Sequence, residues 1–221
     1  MGQGKKEEAE AKKQEKKENF MMGMTITFSI LLAVLLFMVV PYGATSFLKR
    51  FGLSKTMFAV CEGIIKLAVF LLYIWGISKM QDIKRVFMYH GAEHKTIFCY
   101  EYGLDLTVEN VMKQRRFHPR CGTSFIIIIL ILGIFVGCFI PFTNPFIRTL
   151  TKVLCIPLVV GLGYELIKVC GRHDNIITRI ISAPGMWMQH LTTKEPDPDM
   201  AEVAIKAMQY VIPENGEDRI G

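Results

Sequence analysis

From Phe20 to Val40 no charged side chain interrupts the chain. About 21 apolar residues at ~1.5 Å per residue make a helix long enough to cross the ~30 Å hydrocarbon layer of a bilayer. A helix is suited to that layer because it satisfies its own backbone N–H and C=O groups where no water can. Three further apolar blocks follow: Met57–Ser78, Ser124–Ile140, and a shorter one from Val153 to about Ile167 that holds Pro157 and two glycines. A hydrophobic share of 51% is close to that of a soluble chain, so the pooling of these residues into blocks is what points to lipid.

The chain therefore reads as all-α, a polytopic membrane protein with four transmembrane helices, a cytoplasmic helical segment between spans two and three, and a cytoplasmic helical C-terminal tail. Residues 1–19 form a charged tail with no apolar face to bury, either a solvated helix or disordered. Residues 20–78 are a first transmembrane pair, joined by a Tyr42–Lys55 loop that Pro41 and Gly43 open. Residues 79–123 are the cytoplasmic segment. Residues 124–167 are a second pair joined by a Phe142–Lys152 loop, and residues 168–221 are an interfacial and cytoplasmic tail. Within that tail, Asn175–Leu191 is apolar, with a break expected at Pro184-Gly185, and should lie on the membrane surface. Asp197-Pro198 then caps a helix whose stripe is Met200, Val203, Ala204, Ala207, Met208 and Val211, ended by Pro213 and Gly216.

Orientation follows from Lys and Arg. Twenty of the 26 fall in the first 19 residues, in the 79–123 segment and after the fourth block, against five in the other two loops. Positive residues stay on the cytoplasmic side, so both termini and residues 79–123 are expected there. The net charge of +6 flanks the apolar blocks and suits membrane lipids with anionic headgroups as partners. Aromatic residues are not interleaved with the cations to stack bases, so nucleic acid is not an expected partner. Cys61, Cys138 and Cys155 lie in apolar blocks and Cys99, Cys121 and Cys170 in segments on the reducing side, which argues against a disulfide framework.

The segment 79–123 carries the chemistry. In Tyr89-His90-Gly91-Ala92-Glu93-His94-Lys95-Thr96, His90 and His94 are four apart and share one helix face. That is the usual two-ligand geometry for zinc on a helix. With Glu93 it gives the H-x-x-E-H order, in which the carboxylate is the general base. In Phe117-His118-Pro119-Arg120-Cys121-Gly122-Thr123-Ser124, Pro and Gly set a tight turn that can aim His118 and Cys121 at one point. The two stretches lie on the same side of the membrane. The expected metal ligands are therefore His90, His94, His118 and Cys121, the expected cofactor is zinc, and the expected catalytic base is Glu93. The plain readings stay open: a solvated helix face with two histidines, and a reentry turn with a small buried cysteine. Glu165, Glu101 and Cys99 are further candidates, Glu165 also reading as an ion pair with Lys168. His173 and His190 read as interfacial. Glu62 and Lys66 are the only charges well inside a block. Each costs about 2.5–3.5 kcal/mol near mid-bilayer, and their spacing lets them pair. They read as a packing contact between helices, or as a proton or ion path.

At these residues the sequence resembles the YqhQ-like family of bacterial multi-pass membrane proteins. The likeness lies in Asp82-Ile83-Lys84-Arg85-Val86-Phe87, the two stretches above, Leu106-Thr107-Val108-Glu109-Asn110 and Leu191-Thr192-Thr193-Lys194-Glu195-Pro196, and covers roughly residues 57–211. The resemblance implies the bacterial inner membrane, a domain of unknown function sometimes labelled a metal-dependent enzyme, and a metal role for His90, His94, His118 and Cys121. It also implies an N-terminal Gly-Gly-Gln-Ala-Val-Ile-Glu-Gly-type segment. This chain has its charged tail in that place; if that segment completes the site, either this chain alone is incomplete or a separate polypeptide is the partner that supplies it. Three functions stay open. The first is a zinc-dependent hydrolase at the cytoplasmic membrane surface. The second is a non-enzymatic scaffold or assembly factor with a structural metal site or none. The third is a small transporter using Glu62 and Lys66. Three protein ligands with an open position mark the first, and four mark the second.

Overall fold

The computed structural model describes residues 3–48, 50, 52, 54–142, 144–173 and 175–213, with side chains from Lys12 onward apart from residue 145. Gly216, the expected helix stop, lies outside them. Every regular element among the described residues is helical. The chain forms two units, Met1–Leu53 and Ser54–Gly221.

In the first unit, α1 (Gln3–Val34) joins the charged tail and the first apolar block in one helix. It passes through a π-helical stretch, Leu35–Val39, into α2 (Val40–Leu48). The loop expected at Pro41 and Gly43 is therefore corrected: the helix runs on to Leu48. Pro41 has no N–H and its ring crowds the preceding turn. Widening that turn, with Val40 N–H reaching back to Leu35 O, lets the helix continue past it. The stretch Lys12–Leu48 is long and apolar enough to cross a membrane.

The second unit opens with α3 (Lys55–Ile77), capped by the Ser54 hydroxyl accepting from Met57 N–H. It too is long and apolar enough to cross, and only 11% of its most apolar stretch is buried. A three-residue turn leads into α4 (Gln81–Glu101). This helix ends where Gly103 takes a positive φ of 68°, Leu104 N–H bonds Cys99 O and Gly103 N–H bonds Tyr100 O, so the last carbonyls are satisfied. The chain then folds back through α5 (Val108–Met112). Lys95 of α4 pins that return by donating to Met112 O and Gln114 O, the free carbonyls at the end of α5.

α6 (Gly122–Cys138) is apolar all round but only 17 residues long. The loop expected over Phe142–Lys152 is largely helix: α7 (Pro145–Leu154), capped by Asn144, meets α8 (Ile156–Arg172) at a 43° bend. Together they make one more candidate crossing, for two or three in all. α9 (Ile176–Thr192) runs unbroken through Pro184, correcting the expected break. Gly185 serves contact instead, since a Cβ there would come 2.6 Å from Ser124 Cβ. α9 does not simply lie on a surface: Thr178, Met188, Gln189 and Thr192 are buried, and it packs along α6. α10 (Pro198–Gln209) packs across α4 and α5. Its buried face is Met200, Ala201 and Ile205, with Val203 and Val211 exposed, because the small Ala201 lets Ile205 reach Cys99 and Val111. The expected stripe is thus rotated.

Candidate metal centre

His90 and His94 lie on the inner face of α4 with ring centroids 4.3 Å apart. Each ring is held by a backbone carbonyl from another segment. His90 Nδ1 donates to Thr192 O at 2.8 Å, at the end of α9, and His94 Nδ1 donates to Arg116 O at 2.5 Å, on the return from α5. A carbonyl only accepts, so both Nδ1 atoms carry a proton; Nε2 is a lone pair free for metal when a ring is neutral, and an N–H donor to the nearby sulfur when the ring is protonated. Metal-ligating histidines are normally held in this way.

Cys121 caps the start of α6, and its Sγ lies 3.2 Å from His90 Nε2. One ligand atom from each of His90, His94 and Cys121 falls within 4.8 Å of the others. Tetrahedral zinc holds N and S ligands about 3.5 Å apart, so side-chain shifts on the order of 1 Å close the triangle. Burial opposes charge on the Cys121 thiol. Hydrogen bonds from the His90 and His94 rings in their protonated form and from the Thr123 hydroxyl outweigh it and hold the thiol of the metal-free protein at about 5. Burial also opposes charge on His90, and there too the Cys121 sulfur and Thr192 carbonyl prevail, raising it. At neutral pH the sulfur is therefore a thiolate, the form that binds metal. Thr123 adds its N–H at 3.4 Å and its hydroxyl at 3.1 Å to that sulfur.

His118 lies outside this triangle. Its Nδ1 accepts from Arg120 N–H at 3.2 Å, so Nε2 carries the hydrogen and donates to Glu101 at 3.3 Å. Glu101 also bonds Arg120. Burial pushes that carboxyl up, but His118, Arg120 and Arg115 hold it below its ordinary range. The His118 backbone is clamped by Gln189, whose side chain accepts from His118 N–H (2.8 Å) and donates to His118 O and Ser124 Oγ (both 2.7 Å). The turn that places Cys121 is thus fixed from α9.

Glu93 is exposed and is not one of the three converging residues, though its charge is felt at His90. Glu165 is exposed and pairs with Lys168 at 3.7 Å. Cys99 is buried with its sulfur 3.4 Å from Asp105 O, and burial pushes its thiol up. His190 packs on Phe117, ring centroids 4.5 Å apart. All six cysteines are free. Sequence gave no sign of the carbonyls of Thr192 and Arg116, because any residue supplies one. Gln189 did carry a signal, as an amide in a mostly apolar helix, here fully buried.

A family model described as a protein of unknown function (DUF1385) matches residues 3–214. The chain is 37% identical over 213 residues to the uncharacterized protein YqhQ of Bacillus subtilis (strain 168), a match covering 93% of this chain and 67% of that protein. No solved structure matches it significantly.

Proposed function

The chain belongs to the DUF1385 family, whose function is unknown, and we propose that it is a membrane-embedded zinc-dependent hydrolase using His90, His94 and Cys121 as ligands. One observation carries this reading: two imidazoles, each tied at Nδ1 to a carbonyl, converge on one cysteine sulfur. Three protein ligands leave a coordination position for substrate or water, as catalytic zinc sites do. A closed structural site needs a fourth ligand, and both nitrogens of His118 are already spent. When bound, zinc would polarise a carbonyl and make water a nucleophile near neutral pH. Glu93, exposed and close enough to act on the charge of His90, is the proposed base.

In this reading the chain crosses the inner membrane four times, through α1–α2, α3, α6 and the bent α7–α8 pair, with both termini and the metal centre on the cytoplasmic side. The 17 residues of α6 fall at the short end of what a crossing needs. The distribution of Lys and Arg supports the orientation.

A second reading rests on the 3.2 Å contact between His90 and Cys121 at the start of a helix: a metal-free thiolate–imidazolium pair acting as nucleophile. Elemental analysis of protein purified without chelator separates the two. About one zinc per chain, lost in His94→Ala and in Cys121→Ser, is the expected result. A zinc-free wild type overturns the metal reading and leaves the thiolate one.

A further inference from the structure

Thr45, Thr96 and Thr193 each spend their hydroxyl on the backbone carbonyl four residues back, a common fate of a helical threonine. Thr123 has no such outlet. It is the second residue of α6, and the residue four back, Pro119, lies in the turn ahead of that helix. Its N–H is also one of the first-turn donors that no helical carbonyl reaches. Both groups turn to Cys121 instead, the hydroxyl at 3.1 Å and the N–H at 3.4 Å from Sγ. A thiolate has no hydrogen to give, so the hydroxyl donates and the sulfur accepts.

Thr123 Oγ1 then has lone pairs to offer, and the Thr192 hydroxyl lies 3.3 Å from it. Thr192 is the last residue of α9 and is buried, and its hydroxyl also reaches Met188 O, at the longer 3.4 Å. The hydrogens can therefore line up in one direction, from Thr192 to Thr123 to Cys121. The carbonyl of the same Thr192 accepts from His90 Nδ1 at 2.8 Å. One residue at the end of α9 thus backs two of the three converging side chains, His90 through its carbonyl and Cys121 through the Thr123 hydroxyl. Hydrogen bonds to a ligating sulfur draw charge from it and fix where it points, the part that outer partners of metal ligands play.

We propose that Thr123 is a positioning residue of the metal centre: its hydroxyl, backed by that of Thr192, orients the Cys121 thiolate and limits the charge that sulfur gives to a metal. This role rests on the metal reading above. The full chain in detergent is loaded with cobalt(II), whose sulfur-to-metal charge-transfer band reports the charge on Cys121, and zinc affinity is measured by competition with a chelating dye. Thr123→Val keeps the shape and removes the hydroxyl donor. Its sulfur becomes richer in electrons, so the band is expected to move to lower energy. Zinc affinity is expected to fall about tenfold, the low end of what loss of such a partner costs. Thr123→Ser restores both. Thr192→Val moves the band the same way by less, and adds nothing in the Thr123→Val background, because it acts only through Thr123. Helical circular dichroism checks the fold, and Thr192→Val, which leaves α6 unaltered, reads the same chain of bonds should Thr123→Val misfold. A band and an affinity unchanged in Thr123→Val, beside a wild type that binds both metals, overturn this role alone. Additive effects of the two valines overturn the backing by Thr192. A wild type that takes up neither metal overturns the metal reading and this role with it.

Discussion

Gly91 of α4 lies directly against the carbonyl oxygen of Lys194, so close that a Cβ on residue 91 would overlap it. The contact lets the chain leaving α9 run along α4, with Lys194 N–H on Phe87 O at 2.8 Å and Thr192 O on His90 Nδ1. Gly91→Ala forces these segments apart. We expect a loss of roughly 1–3 kcal/mol of stability and weaker zinc binding, because His90 loses the carbonyl that orients it. Thermal unfolding and a zinc competition titration check both. Unchanged stability would mean that the approach is not tight.

Besides a long contact to Met186 Sδ (3.7 Å), fully buried Gln189 makes three side-chain hydrogen bonds to nitrogen and oxygen, two to the backbone of His118 and one to Ser124. Gln189→Leu keeps the volume and removes all three, stranding an N–H, a carbonyl and a hydroxyl. At about 1–3 kcal/mol for a stranded buried group, the expected cost is roughly 3 kcal/mol. The Cys121 turn should loosen with it. Chemical denaturation gives the first, and the alkylation rate of Cys121, expected to rise in the variant, gives the second.

The apolar blocks and the pair His90/His94 were legible because each rests on local periodicity: a bilayer's thickness in one case, 3.6 residues per turn in the other. Cys121 was legible from its turn residues. What escaped depends on contacts between distant segments. His118 and Cys121 are three apart, yet one joins Glu101 and the other His90, since the Pro119 turn points their side chains to different neighbours. Glu62 and Lys66 pair along α3 as their spacing implies, whereas Arg148 and Lys152 fall in a stretch that reads as a loop, and their joining of Glu62 has no sequence signature. Pro41 reads locally as the start of a loop and Pro184-Gly185 as a break, yet backbone adjustment and neighbouring packing keep the helix going at both.

The Cys121 thiol is held at about 5, below its ordinary value of about 8.5. A group whose folded value is depressed gives stability that is complete above its unfolded value and is lost as pH falls through the folded one. In metal-free protein the contribution of Cys121 should therefore decline from about pH 8.5 and vanish below about pH 5. His90 acts oppositely: its raised value gives stability below about 6.5 that is lost as pH rises through the folded value. Ultraviolet thiolate absorbance, taken as wild type minus Cys121→Ser, should be present at neutral pH with a midpoint near 5. A signal that develops only above about pH 8 would show that the imidazoles do not stabilise the thiolate.

Zinc stoichiometry in His118→Gln and Glu93→Gln separates the functional readings. Both ring nitrogens of His118 are engaged, one by Arg120 N–H and one by Glu101, and its ring centroid is 5.8 Å from that of His94. His118→Gln should therefore lose stability, because the part-buried Glu101–Arg120 pair loses a partner, yet keep about one zinc per chain. Glu93 lies outside the ligand triangle and is exposed, so Glu93→Gln should keep zinc and stability alike. Hydrolytic activity, once a substrate class is found by screening, should fall by about 10²–10⁴ in Glu93→Gln, the usual share of a general base. X-ray absorption of the wild type should show two nitrogen ligands, one sulfur and one light atom not lost in His118→Gln. Zinc loss in His118→Gln would make the site four-coordinate and closed, and the scaffold reading would replace the enzyme. Zinc loss in Glu93→Gln would make that carboxylate a ligand and remove it as the base.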